Sequence, residues 1–120
     1  MENPRFFDLV DQLKASVPEL TVFLVQDEMK AGRLCLIDIR EPKERCSGFL
    51  AGSVGLSKGM LEEKIEALVP NVNTKIILYC EDGTRSMIAG DALQRMGYKD
   101  VSSMEGGYMA WLDKGLPVSK

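Results

Sequence analysis

The amino-acid sequence predicts a single α/β domain built on a mainly parallel, five-stranded sheet with helices on both faces. Short apolar runs typical of buried strands alternate with segments whose apolar residues recur at helical spacing. The chain has 120 residues, of which 45% are hydrophobic, which is enough for one domain with its own core. Because the predicted strands are followed by helices, right-handed crossovers place their carboxyl ends along one edge of the sheet.

The first half of the chain begins with a predicted amphipathic helix. Asn3 is its expected N-cap, Pro4 its first residue, and Pro18 marks its end. The elements that follow are a brief strand at 21–23, a helix at 24–31 ended by Gly32, a buried strand at 34–38, a short helix after Pro42, a short strand at 53–56 and a helix at 59–68.

The second half of the chain is predicted to alternate strand and helix twice. The expected elements are an apolar strand at 75–79, a helix at 86–96 capped by Gly97, a strand at 101–104 and a final helix at 108–114. Helical spacing also predicts which side chains of the last three helices are buried. They are Leu61, Ile65 and Leu68 in the helix at 59–68; Ile88, Ala89, Ala92, Leu93 and Met96 in the helix at 86–96; and Trp111 and Leu112 in the helix at 108–114. The apolar residues of the first helix, Phe6, Phe7 and Val10, are expected either to cover the sheet or to dock a partner.

Charge and hydropathy exclude several classes of partner. The net charge is -3, and acidic and basic residues are interspersed, so no basic face is expected for nucleic acid or an anionic membrane. The N-terminal residues lack a secretory pattern, and no apolar run is long enough to span a bilayer. We therefore expect a cytoplasmic protein with neither nucleic acid nor membrane as a partner.

The cysteine and histidine content narrows the possible chemistry. Cys35, Cys46 and Cys80 match neither a disulfide framework nor a paired zinc motif, so free thiols, no metal and no cofactor are expected. The chain contains no histidine, which excludes Ser-His-Asp triads, Cys-His dyads and histidine metal sites. A reactive cysteine in this protein would need another source of activation.

The segment CEDGTRS at 80–86 is the main candidate site, because it joins a predicted strand to a predicted helix. Backbone N–H groups of residues 81–86 can surround the Cys80 sulfur as an anion-binding nest at the helix N-terminus. Gly83 permits the tight turn, with a positive φ, that this requires. Asp38 and the turns at 57–60 and 105–107 are expected to meet Cys80 at the same sheet edge.

Four blocks of sequence resemble the single-domain rhodanese family of sulfurtransferases. They are LIDIREP at 36–42, FLAGSVGLSKGMLE at 49–62, IILYCEDGTRS at 76–86 and GYKDVSSMEGGYMAWLDKGLP at 97–117, in the order and spacing of that family. The resemblance implies a rhodanese-like domain at 20–118, preceded by a helical extension at 1–19. It also implies that Cys80 accepts sulfur from a donor such as thiosulfate or a persulfide and passes it to cyanide, a thiol or a protein, including a sulfur-carrier protein.

The other residues of the loop have several interpretations. Glu81 and Asp82 should repel an anionic sulfur and could make dianionic donors poor substrates. Thr84 and Ser86 belong to the same predicted loop. Arg85 is expected to shape the loop and attract anions, or to pair with Asp38 or Glu44.

Asp38 and Arg40 are predicted supporting residues, either as a structural pair beside the site or with a direct role. Cys46 could resolve an oxidised Cys80. The sequence gives no indication of the oligomeric state.

Two other functional interpretations remain open at the level of sequence. A rhodanese-fold cysteine phosphatase or arsenate reductase would place five residues between its cysteine and arginine, whereas four separate Cys80 from Arg85 here. The shorter loop fits one sulfur atom better than a tetrahedral oxyanion. A non-catalytic rhodanese-like binding module is the other alternative, although such modules often lack the cysteine.

Overall fold

The computed structural model describes residues 4–120, and over this range the chain forms six helices and five strands. The helices are α1 (Pro4–Leu13), α2 (Val22–Ala31), α3 (Pro42–Arg45), α4 (Lys58–Leu68), α5 (Arg85–Arg95) and α6 (Gly107–Asp113). The strands are β1 (Glu19–Leu20), β2 (Cys35–Asp38), β3 (Val54–Gly55), β4 (Ile76–Tyr79) and β5 (Val101–Met104). The predicted N-cap Asn3 lies outside the described residues.

The five strands form one parallel sheet in the order β1-β5-β4-β2-β3. This confirms the predicted fold class. The central strand β4 lies between β5 and β2, so the segment that follows its carboxyl end is flanked by the segments that follow its two neighbours. The candidate loop at 80–86 therefore lies at the middle of the carboxyl edge.

Alternate residues of β4 pack into two separate hydrophobic cores. Ile76 and Leu78 face the core beneath α4 and α5, and Ile77 and Tyr79 face the core beneath α2 and α6. Burial on both faces explains why this strand is an unbroken apolar run instead of an alternating one. Along residues 4–120 no helix combines the length and apolar character needed to cross a membrane.

The brief strand predicted at 21–23 is wrong, because the strand lies just before that range. The strand is Glu19–Leu20, and Thr21 is the N-cap of α2, where its Oγ1 accepts a hydrogen bond from the Leu24 N–H at 3.3 Å. Thr21 satisfies a helix N–H that would otherwise have no partner. The chain therefore leaves the sheet before Thr21, earlier than predicted.

The predicted helix faces are correct at their centres and wrong near their ends. Leu61, Ile65, Ala89, Leu93 and Trp111 are buried, as expected. Three residues predicted to face inward are exposed, namely Leu68, Met96 and Leu112. Leu68 is the last residue of α4 and Met96 follows the last residue of α5, where the predicted helical face no longer meets a buried core.

The first helix does not cover the sheet. Val10 of α1 and the following Val17 pack against Met87 of α5, and Phe7 is exposed. Helix α1 therefore forms a third layer outside α5.

Candidate functional site

The Cys80 side chain lies buried immediately after β4, enclosed by the loop that leads into α5. Its Sγ accepts hydrogen bonds from the backbone N–H groups of Gly83 at 3.2 Å and Ser86 at 3.4 Å. Two amides aimed at one sulfur, beside a helix start, form an arrangement that stabilises negative charge on that sulfur. No imidazole is needed for this effect.

A pair of serine hydroxyls lies behind the sulfur. Cys80 Sγ is 3.5 Å from Ser86 Oγ, which in turn hydrogen-bonds Ser103 Oγ of β5 at 2.6 Å. Both serines are buried. The pair can rotate its protons, so the Ser86 hydroxyl can accept from the thiol or donate to the sulfur anion.

The turn between β5 and α6 holds the loop through backbone contacts. The Tyr108 N–H donates to the Cys80 carbonyl and the Met109 N–H donates to the Glu81 carbonyl, each at 2.9 Å. Gly83 has φ +88°, as predicted for the tight turn, and an added Cβ would lie 2.8 Å from the Gly106 nitrogen. The predicted convergence of the 105–107 turn on the cysteine loop is therefore correct.

The turn at 57–60 does not converge on the cysteine in the same way. The Lys58 N–H binds the Ile39 carbonyl at 3.0 Å, and Met60 lines a groove with Val54 and Leu56 beyond the β3 edge. Strand β2 separates this turn from β4. The turn lies at the same carboxyl edge as Cys80 but one strand away from the loop, and a direct contribution of it to the site stays a prediction.

Asp82 is held within the loop by Thr84. Its Oδ1 accepts from the Thr84 N–H at 3.1 Å and from Thr84 Oγ1 at 2.6 Å, and lies 3.9 Å from Cys80 Sγ. Burial alone would raise the pKa of Asp82, but these hydrogen bonds and the charge of Arg85 lower it below its ordinary value. Asp82 is thus a carboxylate at neutral pH, fixed near the sulfur.

Arg85 pairs with Glu44 instead of Asp38. The distance from Arg85 Nη2 to Glu44 Oε2 is 3.5 Å. Of the two partners considered for Arg85, Glu44 is therefore the one that contacts it. This ion pair joins α3 to the first residue of α5, on the outer side of the loop.

Asp38 is the centre of a buried polar network. Its carboxylate accepts from Arg40 Nη2 at 2.9 Å, Arg45 Nη1 at 3.1 Å and the Tyr79 hydroxyl at 2.9 Å. Burial alone would raise the pKa of Asp38, but hydrogen bonds from Arg40 and Tyr79 outweigh burial and lower it. Burial also raises the pKa of the Tyr79 hydroxyl, which donates as a neutral phenol.

Arg40 connects this network to the loop. Its Nη1 lies 3.3 Å from Glu81 Oε1, and its guanidinium lies over the Tyr108 ring at 4.0 Å from the centroid. Glu81 is therefore paired, so its charge near the sulfur is partly compensated. Asp38 and Arg40 form a buried pair beside the site, as the structural interpretation predicted.

Comparison with known proteins identifies the family. Residues 21–114 match the family model of the Rhodanese-like domain. The chain belongs to the rhodanese-like family.

Two relatives and one solved structure show how this rhodanese-like protein compares. A mitochondrial protein of Schizosaccharomyces pombe, provisionally named a thiosulfate sulfurtransferase, is 32% identical over 90 residues, covering 66% of this chain and 63% of the relative. A Bacillus subtilis protein, provisionally named a sulfurtransferase, is 32% identical over 96 residues, covering 79% of this chain and 90% of the relative. A structure from Rhodopseudomonas palustris, of a protein of unknown function named a possible tyrosine phosphatase, has a TM-score of 0.86 and 31% identity, covering 95% of this chain and 93% of that one.

Several side chains of this rhodanese-like site were not singled out from the sequence. They are Arg45 and Tyr79 as partners of Asp38, Ser103 as the partner of Ser86, and Tyr108 beside Arg40. The contacts of Tyr79 and Ser103 depend on which strands are neighbours, which local spacing does not reveal. Within residues 4–120 no group of three or more Cys, Asp or Glu side chains is placed to hold a metal ion.

Proposed function

We propose that this protein is a sulfurtransferase in which Cys80 carries sulfane sulfur as a persulfide. The observation that supports this most directly is the pair of backbone N–H groups, from Gly83 and Ser86, that point at the Cys80 sulfur. Each charge-assisted hydrogen bond of this kind contributes roughly 1.5–3 kcal/mol. The same cradle can stabilise the thiolate before sulfur transfer and the persulfide anion after it.

The reaction is a double displacement. The Cys80 thiolate attacks the outer sulfur of the donor, a Cys80 S–S bond forms, and the donor's own S–S bond breaks with its electron pair leaving on sulfite or a thiolate. A thiophilic acceptor such as cyanide, a thiol or a sulfur-carrier protein then attacks the outer sulfur and releases the Cys80 thiolate. Because the Cys80 side chain is fully buried, each attack requires the loop to open enough to admit one sulfur atom.

A phosphatase is the second candidate, supported by the name of the similar Rhodopseudomonas palustris protein. The loop geometry favours sulfur transfer. Both of the amides that bind Cys80 Sγ are already engaged by that one atom, and Asp82 Oδ1 lies 3.9 Å from it. A phosphoryl group would bring three further oxygens beside this carboxylate, which would repel them.

The deciding experiment is intact mass spectrometry after mixing the protein with thiosulfate or an alkyl persulfide. We expect the wild type to gain about 32 Da, the mass of one sulfur atom, and Cys80→Ser to gain nothing because the reactive thiolate is absent. Cys46→Ser is the matched control, since Cys46 is an exposed thiol outside the loop. It should load like the wild type.

Other outcomes would select the alternatives. Turnover of an aryl phosphate without any sulfur adduct would support the phosphatase. Inertness in both assays would support a non-catalytic binding module. Sulfur uptake that persists in Cys80→Ser but is lost in Cys46→Ser would contradict the assignment of Cys80.

A further inference from the structure

The cations beside the cysteine loop are already paired with carboxylates. Arg40 contacts Asp38 at 2.9 Å and Glu81 at 3.3 Å, and Arg85 contacts Glu44 at 3.5 Å. Asp82 adds a further carboxylate within the loop. A doubly charged anion approaching Cys80 would therefore meet compensated cations instead of free ones.

Glu44 is held in position by its own helix. Helix α3 has a capping box in which the Glu41 N–H donates to Glu44 Oε1 at 3.0 Å. The second oxygen, Oε2, is the one that contacts Arg85. The carboxylate is thus oriented by backbone, so its contact with Arg85 costs little side-chain freedom.

The Arg85–Glu44 pair is accessible to a donor. The Arg85 side chain is 37% exposed and the Glu44 side chain 34% exposed. A donor anion that binds Arg85 must either displace Glu44 or accept its repulsion. The cost rises with the charge of the donor, because Coulomb energy is proportional to the product of the charges.

A cleft of about 560 Å³ adjoins the loop on this side. Tyr108 and Leu112 supply apolar contacts there, and its charged residues are Arg40, Glu44, Glu81 and Lys120. Arg40 is 2% exposed and engaged by Asp38, which leaves Lys120 as the exposed cation of the cleft, opposite the carboxylates of Glu44 and Glu81. An organic group of low charge is a better match for it.

We propose that Glu44 is a specificity-determining positioning residue, which holds Arg85 and makes the site select low-charge organic persulfides over dianionic thiosulfate. This inference rests on the proposed sulfurtransferase function. In the favoured reaction the Cys80 thiolate attacks the terminal sulfur of R–S–SH, the donor S–S bond breaks, and RS⁻ leaves with the electron pair. Thiosulfate undergoes the same exchange with sulfite as the leaving group.

The test compares Cys80 loading rates in the full chain for thiosulfate and for hydroxyethyl hydropersulfide, which carries at most one negative charge. Glu44→Gln is the variant, because glutamine can keep the capping box while removing the charge. We expect the second-order loading constant to rise about tenfold for thiosulfate and about threefold or less for the persulfide, since repulsion scales with donor charge. The rise for thiosulfate should come from a lower half-saturating donor concentration. It should become smaller as the salt concentration is raised from about 0.02 M to about 0.5 M.

Glu63→Gln is the matched control, because Glu63 lies exposed on α4, away from the loop. It should leave both loading constants unchanged. A Glu44→Gln protein with an unchanged donor ratio, or with equal changes for both donors at all salt concentrations, would overturn the role of Glu44 while leaving sulfur transfer intact. Failure of the wild type to take up sulfur from either donor would overturn the proposed function and this inference with it.

Discussion

The Asp38 carboxylate is fully buried, and hydrogen-bond donors from the protein take the place of the water that it loses on folding. Two guanidinium groups and a phenol bind its carboxylate, and the Arg40 N–H donates to Oδ1 at 3.0 Å. A carboxylate removed from water costs several kcal/mol unless such partners replace the lost hydration. The side chain therefore stabilises the protein only as a complete set with Arg40, Arg45 and Tyr79.

We expect Asp38→Asn to lower the free energy of unfolding by about 3–5 kcal/mol at pH 7, because it leaves buried guanidinium charge uncompensated. The pKa of Asp38 is lowered on folding, so its contribution is present above its unfolded pKa of about 3.9 and is lost as pH falls through the folded value. Urea titrations from pH 7 to pH 2 should show the stability difference between wild type and variant shrinking in acid.

The control for this series is Asp113→Asn, at the exposed end of α6. It should change the free energy of unfolding by less than about 0.5 kcal/mol. An Asp38→Asn protein as stable as the control at neutral pH would contradict the role assigned to the network.

The start of α6 packs closely against the cysteine loop. Gly107 has φ +63°, and an added Cβ would lie 2.6 Å from the carbonyl oxygens of Cys80 and Glu81. Those carbonyls accept the N–H groups of Tyr108 and Met109. The start of α6 therefore fixes the backbone that carries the reactive sulfur.

We expect Gly107→Ala to force α6 and the loop apart, breaking one or both of these hydrogen bonds. The positive φ adds strain of about 1–3 kcal/mol, and each broken hydrogen bond costs about 0.5–1.5 kcal/mol. Urea denaturation should show a loss of about 1.5–6 kcal/mol in total, the upper end applying if both hydrogen bonds break. Sulfur loading, followed by intact mass, should be slower because the amides no longer surround the sulfur.

Gly59→Ala provides the matched control. Gly59 lies in α4, and an added Cβ meets no atom within 4 Å. This substitution should leave loading unchanged and stabilise the helix by about 0.5–1 kcal/mol. If Gly107→Ala loaded sulfur at the wild-type rate, the backbone contacts from α6 would not be what positions the loop.

The order of the elements could be predicted from the sequence because each had a strong local signal. Apolar runs identified β2 and β4, and Gly32 ends α2 as expected. The signal failed for β1, which is only two residues long and pairs with β5. A strand so short contributes too few residues for periodicity, and the capping preference of Thr21 decided the boundary.

The candidate site was only partly predictable for a related reason. Cys80 and its loop follow from a strand, a glycine turn and a helix that are contiguous in sequence. The Ser86–Ser103 contact depends on the register that places Leu78 beside Ser103. Tyr79 reaches Asp38 through the pairing of β4 with β2. Such cross-strand contacts exist only once the sheet order is known.

At the scale of the whole molecule, α1 adds a layer that supports the helix behind the cysteine loop. Met87 lies near the start of α5 and is buried beneath Val10 and Val17. The Pro18 carbonyl accepts the Ser103 N–H at 2.9 Å, so the chain already contacts the sheet two residues before the predicted domain boundary at residue 20. That boundary stays a prediction.

We expect removal of residues 1–14 to leave a folded protein that still takes up sulfur at Cys80, because none of the groups that touch the sulfur comes from α1. The loss of apolar contacts on Met87 and Val17 should lower the free energy of unfolding by about 2–4 kcal/mol, since each large side chain returned to water costs about 1.5–3 kcal/mol. Urea denaturation measures the free energy of unfolding, and intact mass after donor treatment measures the sulfur uptake.

A matched pair of point variants separates packing from mere shortening of the chain. Val10 is buried and the adjacent Leu9 is exposed. If α1 acts by covering α5, Val10→Ala should lower the free energy of unfolding by about 1–3 kcal/mol. Leu9→Ala should lower it by less than about 0.5 kcal/mol, although this substitution removes the larger side chain. Equal losses at the two positions would mean that the helix stabilises the protein without packing on α5. A truncated protein that unfolds at the wild-type urea concentration would show that this layer adds no stability, and a truncated protein that stays folded but cannot be loaded would place α1 within the reactive site.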